Sequence, residues 1–334
     1  MHNFSKSILL FIFLLNVSHC FSQQIQVISE HNHVPLPFAT LVNLTHPSMA
    51  SADEAGILNL NAVIGDSLSI SFVGYKTTNL IFNGDKIQQV KLVQEKITLP
   101  TVIIEKCKKE KTIKYGNTDS VDFIINNQGK KIHFMGGLTS DFVFKNLFTS
   151  EQGIKNYLWA VRLNPKKENA HLIKLSFWLD KPLGALTNSI NLPLILNFYN
   201  VEDSTDLPGH LIYESSIIYY PTQLGKQTLN LDSLHLKIPD NGMYVSFQHV
   251  INDKYSWKIK VKWVDSSKDI AKDTFFFGYG NEIEGTYCSK DFNLANYNPI
   301  LNKWIFTNGQ TDEKDEQKKK GTIKYEAVIK YCSE

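Results

Sequence analysis

The chain has 334 residues, with 35 basic and 33 acidic side chains that leave a formal net charge of +2, and 43% of its residues are hydrophobic. This composition is typical of a globular protein with two domains, and the near-neutral charge gives no electrostatic reason to expect nucleic acid as a partner. Arg162 is the only arginine, although phosphate and base recognition depends strongly on arginine side chains. The sequence therefore argues against a nucleic acid partner.

The first 22 residues have the pattern of an export signal. Lys6 precedes an apolar run at residues 8–15, which is followed by small and polar residues. The run is too short to span a bilayer, so we expect no membrane-spanning segment in the mature chain. Cleavage after Ser22 is the favoured interpretation, and the alternative is a lipidated Cys20, although His19 is bulky where a lipobox has Gly or Ala. The predicted location is the periplasm or the outer membrane.

Three segments near the start of the mature chain predict a small β-sandwich. They read Pro35-Leu-Pro-Phe-Ala-Thr-Leu-Val42, then Asp53-Glu-Ala-Gly56-Ile-Leu-Asn-Leu60, then Asp66-Ser-Leu-Ser-Ile-Ser-Phe-Val-Gly74-Tyr75-Lys76. In the third segment Leu68, Ile70 and Phe72 alternate with serines, which places an apolar face and a polar face on one strand. Asp53 to Gly56 supplies the acidic residue and the glycine of a tight reversal.

These segments resemble the carboxypeptidase-regulatory-like domain, a transthyretin-like sandwich common in envelope proteins of Bacteroidetes-type bacteria. The resemblance covers residues 24–105 and extends to Val90-Lys-Leu92 and Leu99-Pro-Thr-Val102-Ile-Ile104, which match the last strands of that family. It implies a seven-stranded sandwich, and it brings no catalytic residues with it.

Strand patterns return in the second half of the chain. His171 to Leu179 and Leu192 to Tyr199 alternate in the manner of strands, and further candidates follow up to Tyr331 with hardly any helical periodicity. The predicted fold class is therefore all-β, with the small sandwich followed by a larger, jelly-roll-like β-sandwich. The predicted boundaries are a signal peptide at 1–22, the small sandwich at 23–105, a charged linker at 106–130 and the larger sandwich at 131–334.

Three cysteines remain once the signal peptide is removed, namely Cys107, Cys288 and Cys332. A bridge between Cys288 and Cys332 would tie the last strand to the preceding region, and three unpaired thiols are an equally weighted alternative. No C-x-x-C motif is present, so we expect no zinc or redox site built on cysteine.

Two short polar segments have some features of metal sites. His31 and His33 are alternate residues beside a predicted strand, and Glu202 to Asp206 contains three carboxylates in the loop after another strand. The histidines lack a visible third ligand, and the acidic loop lacks the spaced ligands of a calcium-binding EF-hand. Ordinary polar turns are the favoured interpretation of both, with calcium kept as the alternative for the loop, and no metal or cofactor is assigned.

The functional prediction depends on what is missing and on the aromatic residues. The sequence has no nucleophile elbow, His-Glu-x-x-His helix, phosphate loop or dinucleotide motif. We therefore expect an exported, non-catalytic envelope protein that acts as a structural or interaction module and binds other envelope proteins. The alternative is a carbohydrate-binding module, in which Trp257, Trp263, Tyr219 and Tyr220 stack on sugar rings. Core packing is the more common role of such rings, those of Trp304 and these four included.

Overall fold

A computed structural model describes residues 23–46, 48–60, 62–84, 87–95, 109–118, 124–125, 131–132, 158–181, 190–213, 216–265, 270–279, 282–283, 285–288, 294–298, 303–306 and 320–333. Their regular structure is almost entirely β-strand, with two short 3-10 helices at Asp232–Leu234 and Asp253–Tyr255. Within the ranges given, we find no helix with the length and apolar character needed to cross a membrane.

The described part of the small sandwich has seven strands, and the closing strand predicted at Leu99–Ile104 lies outside the described residues. The seven strands form two sheets, with the orders β4-β1-β7 and β3-β2-β5-β6, and only the β1–β7 pairing is parallel. The strands are β1 (Gln23–Ser29), β2 (Thr40–Asn43), β3 (Ser48–Ser51), β4 (Ile57–Leu60), β5 (Ser67–Ser71), β6 (Thr78–Ile81) and β7 (Ile87–Leu92). Apolar side chains from both sheets fill the space between them, among them Ile25, Leu41, Leu58, Leu68, Ile70 and Phe82.

Two local predictions for this sandwich are confirmed. The burial of β5 alternates as the serine pattern requires, because Leu68 and Ile70 are fully buried while the serines between them are half-buried. The reversal at Asp53 is a tight turn in which the Asp53 carboxylate accepts the backbone N–H groups of Ala55 and Ile57, each at 2.9 Å. Gly56 has a φ of 72° there, a left-handed conformation that glycine adopts without strain.

Asn43 and Asp66 form a buried polar network inside the small sandwich. Asn43 Nδ2 donates to Asp66 Oδ2 at 2.7 Å, and Asn43 Oδ1 accepts the backbone N–H groups of Thr45 and His46, each at 3.0 Å. Asp66 also accepts the N–H of Val63 at 3.0 Å, and this backbone hydrogen bond is the main cause that holds the Asp66 pKa below its ordinary value. The network ties the start of β5 to the end of β2.

The larger sandwich is built from two facing sheets. A seven-stranded sheet has the order β14-β13-β18-β11-β23-β24, with β15 also paired to β13. Its strands are β11 (Leu158–Leu163), β13 (Leu194–Val201), β14 (Pro208–Leu211), β15 (Ile217–Tyr219), β18 (Met243–His249), β23 (Leu294–Asn298) and β24 (Lys303–Phe306). A six-stranded sheet has the order β16-β12-β26-β8, with β17 and β21 also paired to β12. Its strands are β8 (Lys109–Asn117), β12 (His171–Asp180), β16 (Gly225–Asn230), β17 (Leu236–Lys237), β21 (Glu282–Ile283) and β26 (Tyr325–Ser333).

Three further strand pairs complete the described residues. They are β9 (Ile124–Ile125) with β10 (Lys131–Ile132), β19 (Ser256–Asp265) with β20 (Ile270–Tyr279), and β22 (Gly285–Cys288) with β25 (Lys320–Ile323). The main core lies between the two large sheets, where the rings of Phe177 on β12 and Phe247 on β18 meet edge to face at 5.2 Å. The predicted all-β sandwich class is confirmed.

Part of the predicted linker is a strand of this core. Residues 109–117 form β8, which pairs along its whole length with the last strand, β26, at the edge of the six-stranded sheet. Ile113 and Tyr115 pack against the main core, while the neighbouring charged residues are exposed. Lysines suit an exposed sheet edge because they discourage pairing with another chain, and the same charges made this segment look like a linker.

The two sandwiches contact each other through an interface that we call the junction, formed by residues 38–54 of the small sandwich and residues 248–255 of the larger one. Phe38 is buried there with Ile195 and Val250, and its ring centroid lies 6.1 Å from that of Tyr255. Its φ is 62°, a conformation that costs a bulky residue roughly 1–3 kcal/mol. Burial of the phenyl ring in the larger sandwich offsets that cost.

Hydrogen bonds reinforce the junction. Ser51 N–H donates to the Ile251 carbonyl at 2.6 Å, Ile251 N–H donates to Ser51 Oγ at 3.1 Å, and Asn252 Nδ2 donates to the Ser51 carbonyl at 2.8 Å. At the exposed rim, Glu54 pairs with Lys254 at 2.6 Å and accepts a hydrogen bond from the hydroxyl of Tyr255. The Lys254 and Tyr255 hydrogen bonds lower the Glu54 pKa to about 2.

Candidate functional site

We infer that the seven-stranded sheet curls so that its outer face is concave. Tyr199 is on β13 and Trp304 is on β24, with three strands between them in the sheet order. A flat sheet would separate them by about 19 Å, yet their ring centroids are 5.6 Å apart. Tyr297 on β23 completes a ring cluster, because its centroid lies 5.4 Å from that of Trp304. The curl therefore gathers side chains that are distant in the sheet.

A cavity of about 220 Å³ lies where this ring cluster faces the small sandwich, and we call it the junction pocket. The larger sandwich contributes the ring cluster and Gln248, while the small sandwich contributes Phe72, Tyr75 and Glu95. The pocket therefore has walls from both sandwiches, and it exists only because the junction holds them together.

The wall from the small sandwich is made by the Gly-Tyr-Lys motif that ends its third predicted segment. The chain turns at Gly74, whose φ is 79°, and the N–H of Tyr75 donates to the Phe72 carbonyl at 3.0 Å. The segment is fixed to its neighbour by Lys76 N–H, which donates to the Val93 carbonyl at 2.9 Å. The rings of Phe72 and Tyr75 are 5.5 Å apart. This turn presents two aromatic rings to the pocket.

The polar group of the pocket is Gln248, which is only 7% exposed. Its Nε2 donates to Thr40 Oγ1 at 3.0 Å across the junction, which fixes the orientation of the amide. Among the described residues, Gln248 Oε1 has no hydrogen-bond donor. Ser216 also lines the pocket, and its buried Oγ has no partner in the same set of residues. The pocket thus offers an oriented acceptor and a hydroxyl.

A polar stripe continues from Gln248 along the concave face. Asn197 and Ser246 are 1% and 0% exposed, and neither side chain makes a hydrogen bond of acceptable geometry to a described residue. Both lie near the hydroxyl of Tyr199, and burial raises the pKa of that hydroxyl to about 12 despite their partial compensation. Tyr199 is therefore a neutral phenol at physiological pH.

A second cavity of about 810 Å³ is lined by β24 and the β13–β14 turn. We call it the edge groove. Its lining includes Phe306, which is 43% exposed, and the acidic loop at 202–206. Trp304 lines both the edge groove and the junction pocket.

The acidic loop is a hydrogen-bonded turn in which each carboxylate has a partner. Thr205 Oγ1 donates to Glu202 at 2.6 Å, and Asn241 Nδ2 donates to Asp203 at 2.8 Å. Asp206 pairs with Arg162 at 2.6 Å, so the only arginine of the chain is used here for structure. His31 and His33 lie in an exposed turn after β1. Across the described ranges, no three potential metal ligands converge, and the polar-turn interpretation of both segments stays a prediction.

The aromatic residues singled out from the sequence do not form one platform. Tyr219 packs edge to face on Phe177 at 5.8 Å and donates its hydroxyl to Gln227 at 2.8 Å, so it belongs to the edge of the main core. Tyr220 is 43% exposed and is not part of either cavity. Trp257 and Trp263 lie on β19, six residues apart in a regular hairpin strand, and the description of that strand extends to its backbone only.

One cysteine of the predicted bridge lies in the described part of the chain with its side chain. Cys332, near the end of β26, is disulfide-bonded. Cys288 ends β22, and the sulfur that completes the Cys332 bond lies outside the described side chains. The Cys288–Cys332 pairing stays a prediction. The signal peptide and the alternative lipidation of Cys20 also concern residues outside the described ranges.

Comparisons with known proteins do not assign a family. No family model matches the chain, and no curated protein matches it. Among solved structures, it is similar to the cysteine protease and lectin-like domains of Cwp84, a surface layer associated protein of Clostridium difficile, with 11% identity, a TM-score of 0.26, and coverage of 52% of this chain and 32% of that one. A clostridial Cwp84 cysteine protease after propeptide cleavage gives 12% identity, a TM-score of 0.27, and coverage of 52% and 36%. The matched region spans about a third of those chains, and TM-scores this low carry no argument about fold or function.

Proposed function

We propose that this chain is an exported, non-catalytic protein of the cell envelope that acts as a structural and interaction module. The observation that carries the proposal is the junction, where paired hydrogen bonds between Ser51 and Ile251 and the buried ring of Phe38 hold the two sandwiches together. Interfaces between mobile domains are usually small and polar. A fixed arrangement suits a protein that presents its surfaces at a constant spacing.

An exposed apolar surface on the small sandwich supports this proposal. Val63, Ile64 and Ile81 are 64%, 71% and 62% exposed. The turn that carries Val63 and Ile64 is tied to the end of β6 by hydrogen bonds between Gly65, Asp66 and Phe82. Exposed apolar groups that cluster are a frequent sign of a protein-binding surface.

The test is photo-crosslinking in living cells of a Bacteroidetes-type bacterium. A photoreactive amino acid is placed at Ile64 and, as a control, at Lys111 on the exposed edge strand β8. We expect discrete crosslinked products from position 64 in the envelope fraction and none from position 111. A chain found in the cytosolic fraction, or equal crosslinking from the two positions, contradicts the proposal. Mass spectrometry of the mature N-terminus distinguishes cleavage after Ser22 from lipidation of Cys20.

Carbohydrate binding is a second candidate function, and the aromatic lining of the junction pocket favours it. Tyrosine and tryptophan rings present apolar faces with a polar group at the ring edge, and sugar rings present apolar C–H faces with hydroxyls at their edges. Phe72 and Tyr75 on one wall and Trp304 on the other provide such surfaces.

A further inference from the structure

We propose that the junction pocket binds a single neutral sugar residue. This inference rests on carbohydrate binding, the second candidate function, and assigns its site to a pocket between the two sandwiches. The β19 hairpin with Trp257 and Trp263 is not required for it.

The size of the pocket sets the size of the ligand. Its volume is about 220 Å³, below the roughly 300–1,000 Å³ of pockets that enclose drug-sized ligands. One ring with its substituents fits a space of this size, and the remainder of a longer ligand would extend outward past the exposed Glu95. A terminal residue of a glycan has this shape.

The hydrogen-bonding groups select for hydroxyls. Gln248 is held by Thr40 through its Nε2, so its Oε1 is a fixed acceptor with no donor among the described residues. Ser216 adds a buried hydroxyl without a partner. A sugar hydroxyl donates and accepts at once, so neighbouring hydroxyls satisfy both groups. A purely aromatic ligand would leave them unpaired, at a cost that disfavours its binding.

The charge of the lining selects against ions. Among the described lining residues, Glu95 is the single Asp, Glu, Lys or Arg, and it lies at the exposed rim. Tyr199 adds no charge, because a phenol is neutral at physiological pH and burial raises the pKa of this one further. A carboxylated or phosphorylated ligand would meet no cation here. A quaternary ammonium ligand would find aromatic rings, but it would leave the Gln248 and Ser216 oxygens without donors.

Because the pocket lies between the two sandwiches, a bound ligand also affects the stability of the junction. Tyr75 belongs to the small sandwich, whereas Gln248 and Trp304 belong to the larger one. A sugar that contacts both walls stabilises the junction, because a ligand that binds only the assembled state shifts the equilibrium toward that state. Binding therefore raises the melting temperature of the protein.

The experiment uses the mature chain on an array of immobilised neutral oligosaccharides of glucose, galactose, mannose and N-acetylglucosamine, followed by calorimetry with the best binder. Tyr75→Ala removes one aromatic ring from the pocket, and we expect Kd to rise about tenfold. This change corresponds to a loss of about 1.4 kcal/mol of binding free energy. Gln248→Met removes the oriented hydrogen-bond acceptor, and we expect a larger loss of affinity. Tyr331→Ala is the matched control, because Tyr331 is also half-buried but lies on β26 in the other sheet. Circular dichroism confirms that each variant is folded.

Each outcome has a defined meaning. Binding that Tyr75→Ala weakens and Tyr331→Ala leaves unchanged supports the pocket, and a rise in melting temperature with the sugar supports the bridging position. Binding that is insensitive to Tyr75→Ala overturns the pocket but leaves carbohydrate binding standing. A silent array overturns both the pocket and the second candidate function. Choline is tested in parallel. If choline binds and none of the sugars does, the proposal of a neutral ligand is wrong. If Gln248→Met fails to fold, the Tyr75→Ala result decides.

Discussion

The two sandwiches treat their buried polar groups differently. In the small sandwich, the buried side chains of Asn43, Ser51 and Asp66 all make hydrogen bonds. In the larger sandwich, the side chains of Ser246 and His249 are fully buried and make no hydrogen bond to any described residue. The hydrogen bonds of these three side chains in the small sandwich are those expected of a region with a structural role. In the larger sandwich, burying these polar groups without hydrogen bonds lowers the stability of the folded state.

Such a difference is informative because most buried polar groups in native proteins are hydrogen-bonded. Those that are not are found preferentially where function competes with stability. Among the described residues, most of them lie on or beside the seven-stranded sheet, and one, Gln88 Oε1, lies on β7 of the small sandwich. Two of them, Asn197 and Ser246, continue the stripe that starts at Gln248 in the junction pocket. The comparison therefore points to the concave face of the larger sandwich as the functional region, and the small sandwich supports it.

The largest expected effect comes from two matched asparagines, Asn43 and Asn197, which are 0% and 1% exposed. Asn43→Leu removes three hydrogen bonds, one of them to a carboxylate, and we expect the free energy of unfolding to fall by about 3 kcal/mol. Asn197→Leu removes a buried amide that makes no hydrogen bond of acceptable geometry to a described residue, and we expect an increase of about 1 kcal/mol. Urea denaturation at pH 7 measures both values.

Equal losses for the two variants would contradict the comparison, because they would mean that Asn197 is hydrogen-bonded in solution. Asn197→Ala separates packing from polarity. It removes the same amide but leaves a cavity, so it should be less stable than Asn197→Leu.

Much of the fold is predictable from the sequence. The serine alternation around Leu68 and Ile70 fixes β5, and the pattern from His171 to Leu179 fixes β12, because a half-buried strand imposes a period of two. The pattern fails for β8, where lysines at an exposed sheet edge have the composition of a linker. Pairing along β26 is a long-range property that a local pattern does not contain.

The site is much less predictable. Tyr75, Gln248 and Trp304 are far apart in the sequence, and the curl of a sheet that brings Trp304 to Tyr199 has no local signature. The regular spacing of Trp257 and Trp263 predicts that both lie on one face of a strand. It does not predict which other surface that face contacts. One usable signal was present: Ser246 and Gln248 alternate on one face of a strand in which all seven residues are buried, and polar residues at such positions are rare without a purpose.

A change of pH is expected to have an intermediate effect on the free energy of unfolding. Burial lowers the pKa of His249 to about 4, from an unfolded value of about 6.5. Between these values the unfolded chain binds a proton that the folded chain does not, so acidification favours unfolding. The stabilisation is complete above pH 6.5, and it falls by about 1.4 kcal/mol per pH unit down to pH 4, about 3 kcal/mol in total.

Chemical denaturation at half-unit steps from pH 7.5 to pH 4 measures this slope. His171 also has a pKa lowered by burial and adds to it, so the contribution of His249 is the difference between the wild type and His249→Leu. We expect His249→Leu to flatten the profile and to be the more stable protein at pH 5. Parallel profiles for the two proteins would mean that His249 is accessible to protons in the folded state.

The smallest expected effect comes from a matched pair of serines. Ser51 and Ser246 are 2% and 0% exposed, and both lie on strands. Ser51 Oγ accepts the backbone N–H of Ile251 across the junction at 3.1 Å, so Ser51→Ala leaves a buried donor unpaired, and we expect a loss of about 1 kcal/mol. Ser246 Oγ has no partner among the described residues, so Ser246→Ala removes an unpaired hydroxyl, and we expect no loss and a gain of up to about 1 kcal/mol. Thermal denaturation of the two variants under identical conditions should therefore shift the melting temperature in opposite directions. A shift of the same sign and size would show that the larger sandwich satisfies its polar stripe in solution, and it would remove the contrast that assigns function to the concave face.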